Sequence, residues 1–81
     1  FSVENLIFYE EVQLYKKIFD NEERKIRFLQ IFNSFIKIGS ENELNISDQL
    51  RSEIIQSFQN PTFVIFDNIL KDILSIIIYP T

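Results

Sequence analysis

Four stretches of this 81-residue chain repeat apolar side chains at helical spacing, and short polar runs separate them. Over residues 3–19, Phe8, Val12, Tyr15 and Phe19 fall on one stripe. Asp20-Asn21 ends that stripe and can cap a second helix over 22–38. Glu22 and Glu23 then sit in its first turn, where the helix dipole favours acids. Its buried face would be Phe28, Ile31, Phe35 and Ile38, flanked by Phe32. Gly39 stands where a helix C-terminus calls for a left-handed residue. A third helix is expected over 49–59, capped by Ser47 or Asp48, with Leu50, Ile54 and Phe58 inward. Asn60 can cap a fourth over 61–78, with Pro61 at its first position and Phe66, Leu70, Ile73 and Ile77 on one face.

Two amides break this pattern. Ser2 is a candidate N-cap and Glu4 suits the positive end of the first helix dipole, but neither explains Asn5, where the apolar stripe should have begun. In the polar run 39–48, Leu44 and Ile46 alternate with Asn45, so the apolar pair can pin the loop while Asn45 points away. Four helices with short connections favour an all-α, antiparallel four-helix bundle occupying the whole of 1–81. That topology brings residues 1–5, 41–47 and 79–81 to one end, and Asn5 and Asn45 with them. Each amide also has a local reading: Asn5 as a first-turn polar residue, Asn45 as a partner for its own loop backbone.

Composition narrows the chemistry. With 46% hydrophobic and 15% aromatic residues the chain has material for a core and is unlike a disordered segment. The net charge of −4 and scattered bases speak against nucleic acid, which calls for clustered Lys and Arg. The densest basic group, Arg24 to Arg27, follows Glu22-Glu23 and reads as a solvated helix face. Without His or Cys there is no material for a Ser-His triad, a thiol nucleophile or a soft-ligand metal site. Glu10-Glu11 and Glu22-Glu23 are not catalytic pairs, because adjacent helix positions diverge by roughly 100°. No apolar run reaches the ~20 residues of a membrane-spanning helix. The chain reads as a portion cut from something longer.

The residues also resemble a known family. SVENLIFYEEVQLYKK is similar to the fourth helix of RGS domains, the regulators of G-protein signalling, through Ser2, Glu4, Asn5, Leu6, Phe8, Tyr15, Lys16 and Lys17, with Tyr9 in place of the family's Trp. IFNSFI resembles the family's fifth helix. ENELNISDQLRSEI resembles the next loop and helix, through Asn45 and Arg51. PTFVIFDNI resembles the opening of the seventh helix, through Pro61, Thr62, Phe66 and Asp67. These four segments occur in order over nearly the whole chain. The stretch LSIIIYPT departs from the family, which there carries an acid, a hydroxyl and a base.

The resemblance implies the central four-helix bundle of such a domain, without the helices that pack as its terminal lobe. It implies a GTPase-activating protein for heterotrimeric G-protein α subunits, an enzyme regulator with no cofactor and no small-molecule substrate of its own. Phe1, Glu4, Asn5 and Asn45 match the family's α-subunit contacts. Arg51 is expected to tie the loop or face along its helix. The implied location is the cytoplasm, with recruitment to the inner face of the plasma membrane, and other domains can share the parent chain. The alternative is a catalytically silent RGS-like scaffold module.

Overall fold

A computed structural model of the chain describes residues 3–78, with side chains described through Ile73. Its elements are all helical: α1 (Val3–Tyr15), α2 (Asn21–Ile31) continued by a π-helical turn (Phe32–Ile36), α3 (Asp48–Gln56) and α4 (Asp67–Ile78).

Local chemistry accounts for the helix starts. Asp20 caps α2, its carboxylate accepting from the Glu23 amide at 2.9 Å. Of the two candidates before α3, Ser47 is the cap, its Oγ accepting from the Leu50 amide at 3.2 Å. Gly39 takes φ +82°, in the chain just beyond the π turn.

Long-range contacts set the directions. Glu11 of α1 pairs with Arg27 of α2 at 3.2 Å, while Phe8, earlier in α1, meets Phe35, later in the second helical stretch. The two segments therefore run antiparallel. Lys16 meets Asp67 at 2.7 Å while Glu4 and Asn5 lie beside Ile69, Asp72 and Ile73, so α1 and α4 are antiparallel as well. Arg51 reaches Ile36, and Phe58 packs on Phe32 and Phe28, which sets α3 against α2 in the same sense.

The core is an aromatic lattice. Phe66 touches Phe8, Tyr15 and Phe28 at ring-centroid distances of 5.7, 5.3 and 5.6 Å. Most of these pairs are edge-on, the arrangement the ring quadrupole prefers. Phe8, Val12, Tyr15, Phe28, Ile31, Phe35, Ile54, Phe66, Leu70 and Ile73 are buried as the periodicity predicts. Ile36 and Ile69 join them without having been expected to.

Four expectations fail at helix boundaries. α3 stops at Gln56, short of 59, which leaves Phe58 in the turn beyond it, resting on Phe28 and Phe32 yet 38% exposed. α1 stops at Tyr15, because the amides of Lys17 and Ile18 bond three residues back and tighten the chain into a turn. Phe19 leaves the stripe and is 84% exposed. The π turn ends at Ile36, where Lys37 becomes extended, and Ile38 swings out to 70% exposure. α4 begins at Asp67 and not at Pro61: residues 61–66 form turns, with Pro61 buried. The Tyr15 hydroxyl donates to the Thr62 carbonyl at 2.7 Å and Arg24 Nε donates to the Pro61 carbonyl at 3.3 Å. These tertiary bonds hold the junction in a non-helical form. Ser2, Ile77 and residues 79–81 are placed by expectations that lie outside the described side chains.

Candidate partner-binding site

The loop between α2 and α3 is fastened by its backbone. The Asn42 amide donates to the Ser34 carbonyl at 3.1 Å and the Leu44 amide to the Phe35 carbonyl at 2.8 Å. Both carbonyls belong to the π turn, whose wider winding leaves groups free to receive the returning chain. Leu44 is buried and Ile46 packs against the core, while Asn45 between them is exposed.

Arg51 completes the fastening. Its Nε donates to the Ile36 carbonyl at 2.8 Å, and its two Nη atoms reach Glu43 and Asp48, each at 3.4 Å. Glu43 in turn accepts from the Gly39 amide at 2.9 Å. Arg51 is therefore a loop-tying residue.

The first turn of α1 and the second turn of α4 close on this loop. Glu4, Asn5, Glu43, Leu44, Asn45, Ile46, Ile69, Asp72 and Ile73 line one cleft of about 280 Å³. The structure thus brings Glu4, Asn5 and Asn45 together from positions some 40 residues apart in the chain. Phe1 lies outside the described residues. Neither amide side chain hydrogen-bonds to another described residue, so the local reading of Asn45 as a partner for its own loop backbone finds no support. An amide of this kind offers both donors and an acceptor. Glu43, Ile69 and Asp72 are cleft residues that the sequence did not single out, and Asp72 is the one among them without a described polar partner on an exposed position. Its position one turn beyond Asn68 on α4 carries no signal until α4 is docked.

The opposite end is organised differently. Tyr15 is buried, and its phenol is pushed up to about 12 by loss of hydration, an effect that the nearby Arg24 charge partly offsets. Arg24 donates to the carbonyls of Ile18 at 3.1 Å and Pro61 at 3.3 Å, and to the Asn21 side chain. Its guanidinium also lies 4.2 Å from the centre of the Phe63 ring. Among the described residues, no group of three or more His, Cys, Asp or Glu side chains is placed to hold a metal ion. No described helix is long and apolar enough to cross a membrane.

Comparison with known proteins agrees with this architecture. The family model for the regulator of G protein signaling domain matches residues 1–79. Regulator of G-protein signaling 13 of Mus musculus is 34% identical over 70 residues, covering 86% of this chain and 44% of the relative. Regulator of G-protein signaling 13 of Homo sapiens is 33% identical over 70 residues, with the same coverage. The chain spans less than half the length of these relatives. A match running from the first helix through the fourth, on an all-helical bundle, places the chain in the RGS domain family.

Proposed function

We propose that this chain is the bundle core of a GTPase-activating domain for G-protein α subunits, working on the cytoplasmic side of the membrane where such subunits sit. The observation that carries the reading is the meeting of Glu4, Asn5 and Asn45 on one cleft, with both amides free of described hydrogen-bond partners. An α subunit carries its own arginine and its own water-orienting Gln. The activator then has no proton to move and no nucleophile to supply. It acts by binding the switch segments more tightly in the transition state than in the GTP ground state. Two amides on a fastened frame suit that task, because they exchange hydrogen bonds with backbone or Gln without changing charge. The pinned loop limits the ordering that Asn45 would otherwise undergo on binding.

The test is single-turnover GTP hydrolysis by a panel of α subunits, with and without the domain in its parent chain. Acceleration is expected, and Asn45→Ala should reduce it about 10-fold or more, the worth of one well-placed hydrogen bond to a reacting assembly. A folded domain that binds α subunits and leaves every hydrolysis rate unchanged would instead be a silent scaffold module.

A further inference from the structure

We propose that Asp72 sets partner specificity at this cleft by selecting α subunits that present a Lys or Arg side chain between α1 and α4. The inference rests on the cleft being the α-subunit site and names a residue that the family resemblance did not carry over.

The argument starts from uncompensated charge. Three carboxylates line the cleft: Glu4, Glu43 and Asp72. Glu43 is committed to Arg51 and the Gly39 amide. Glu4 and Asp72 have no ion-pair partner among the described residues. Arg51, the base that fastens the α2–α3 loop at this end, is already engaged with Ile36, Glu43 and Asp48 and does not line the cleft. Lys37 and Lys71 do not line it either. Two carboxylates therefore share the cleft with two amides, and no Lys or Arg among the described residues lines it.

The carboxylates are not arranged for a metal ion, since no such cluster of ligands occurs among the described residues. A tethered cation fits better. An ammonium or guanidinium can reach in on a flexible stem, meet Asp72 and Glu4, and use the Asn5 and Asn45 amide oxygens for its remaining donors. Asp72 stands at an exposed α4 position with no described hydrogen bond, so it is free to act on a partner without serving the fold. Charge complementarity of this sort discriminates partners and speeds encounter.

The experiment measures the Kd of the domain, in its parent chain, for an α subunit bearing GDP and aluminium fluoride, at low and at high salt. The variants are Asp72→Asn, Asp72→Lys, Asn45→Ala and Glu53→Lys; Glu53 is an exposed α3 acid that does not line the cleft. Asp72→Asn should weaken binding about 3-fold and Asp72→Lys about 10-fold or more at low salt, with the loss shrinking as salt screens the pair. Glu53→Lys changes the net charge equally and should shift Kd less than about 2-fold. Equal effects of Asp72→Lys and Glu53→Lys would overturn the proposal. So would an unchanged Kd for Asp72→Lys alongside weakened binding by Asn45→Ala, which would leave the cleft reading standing. If Asn45→Ala and Asp72→Lys both bind as well as the parent, the cleft reading itself is wrong.

Discussion

Each end of the bundle is held by one arginine, and the two ends use it for different purposes. Arg24 gathers the α1–α2 turn and the 61–66 junction through carbonyls of Ile18 and Pro61, and covers Phe63. With Tyr15 bonded to Thr62, both of the polar side chains that tie that end act on the fold itself. Arg51 gathers the α2–α3 loop through Ile36, Glu43 and Asp48, but its fastening leaves Glu4, Asn5, Asn45 and Asp72 facing a cleft without described partners. Satisfied polar groups at one end stabilise the fold. Free polar groups on an equally fixed frame at the other end are available to a second protein.

The largest perturbation should break both ends together. Phe8 meets Phe35 and Phe66 in the lattice that joins them, and its truncation to Ala should cost ~3–5 kcal/mol. Urea unfolding would show this as loss of the cooperative transition or a strongly lowered midpoint; an unaltered midpoint would mean the lattice is not the common support.

Replacing each arginine separates the ends. Arg24→Met and Arg51→Met keep much of the apolar stem and remove the donors, and each should cost about 1–3 kcal/mol through orphaned carbonyls. Their effects on GTP hydrolysis should differ. Arg51→Met frees the loop and should impair acceleration even at temperatures where the domain stays folded, while Arg24→Met should leave acceleration by the folded fraction intact. Equal impairment by both would erase the contrast between the ends.

The end that Arg24 and Tyr15 tie also has a pH signature. The Tyr15 phenol titrates near 10 in an unfolded chain and at about 12 when folded. Above pH 10 the unfolded chain sheds that proton and the folded chain keeps it, so stability falls as pH rises from about 10 to about 12. The loss is up to about 3 kcal/mol, and Tyr15→Phe should remove this dependence at a cost of about 1 kcal/mol for the bond to Thr62. Thermal melts at pH 9 and pH 11 on both proteins would measure it.

The smallest expected effect on stability belongs to Asn45→Ala, within about 0.5 kcal/mol, because the side chain is exposed and has no described hydrogen bond. A larger loss in a urea titration would show that Asn45 serves its own loop after all.

Much of this was legible in the residues. The spacing of Phe8, Val12 and Tyr15, of Phe28, Ile31 and Phe35, and of Phe66, Leu70 and Ile73 marked the core, because a helix repeats its buried face at fixed intervals whatever it packs against. Asp20 marked the start of α2 through its own side chain, while Gly39 takes its left-handed backbone in the turn that follows, three residues past the end of the π turn. The alternation Leu44-Asn45-Ile46 showed which side of the loop would be pinned.

Phe19 and Ile38 show where local reasoning stops. Each continues an apolar period, and each lies beyond the point where the helix actually ends. Nothing within the sequence 61–66 forbids a helix beginning at Pro61; the bonds from Tyr15 and Arg24 to carbonyls of that segment do. The sequence by itself determined the helices, most of their buried faces and the amides that did not belong to those faces. Only the tertiary structure decided where α1 stops and α4 starts, and that Asp72 stands beside Glu4, Asn5 and Asn45. Helical periodicity is a property of neighbours along the chain, whereas a carbonyl taken by a distant side chain, or a carboxylate brought into a cleft, exists only once the helices have docked.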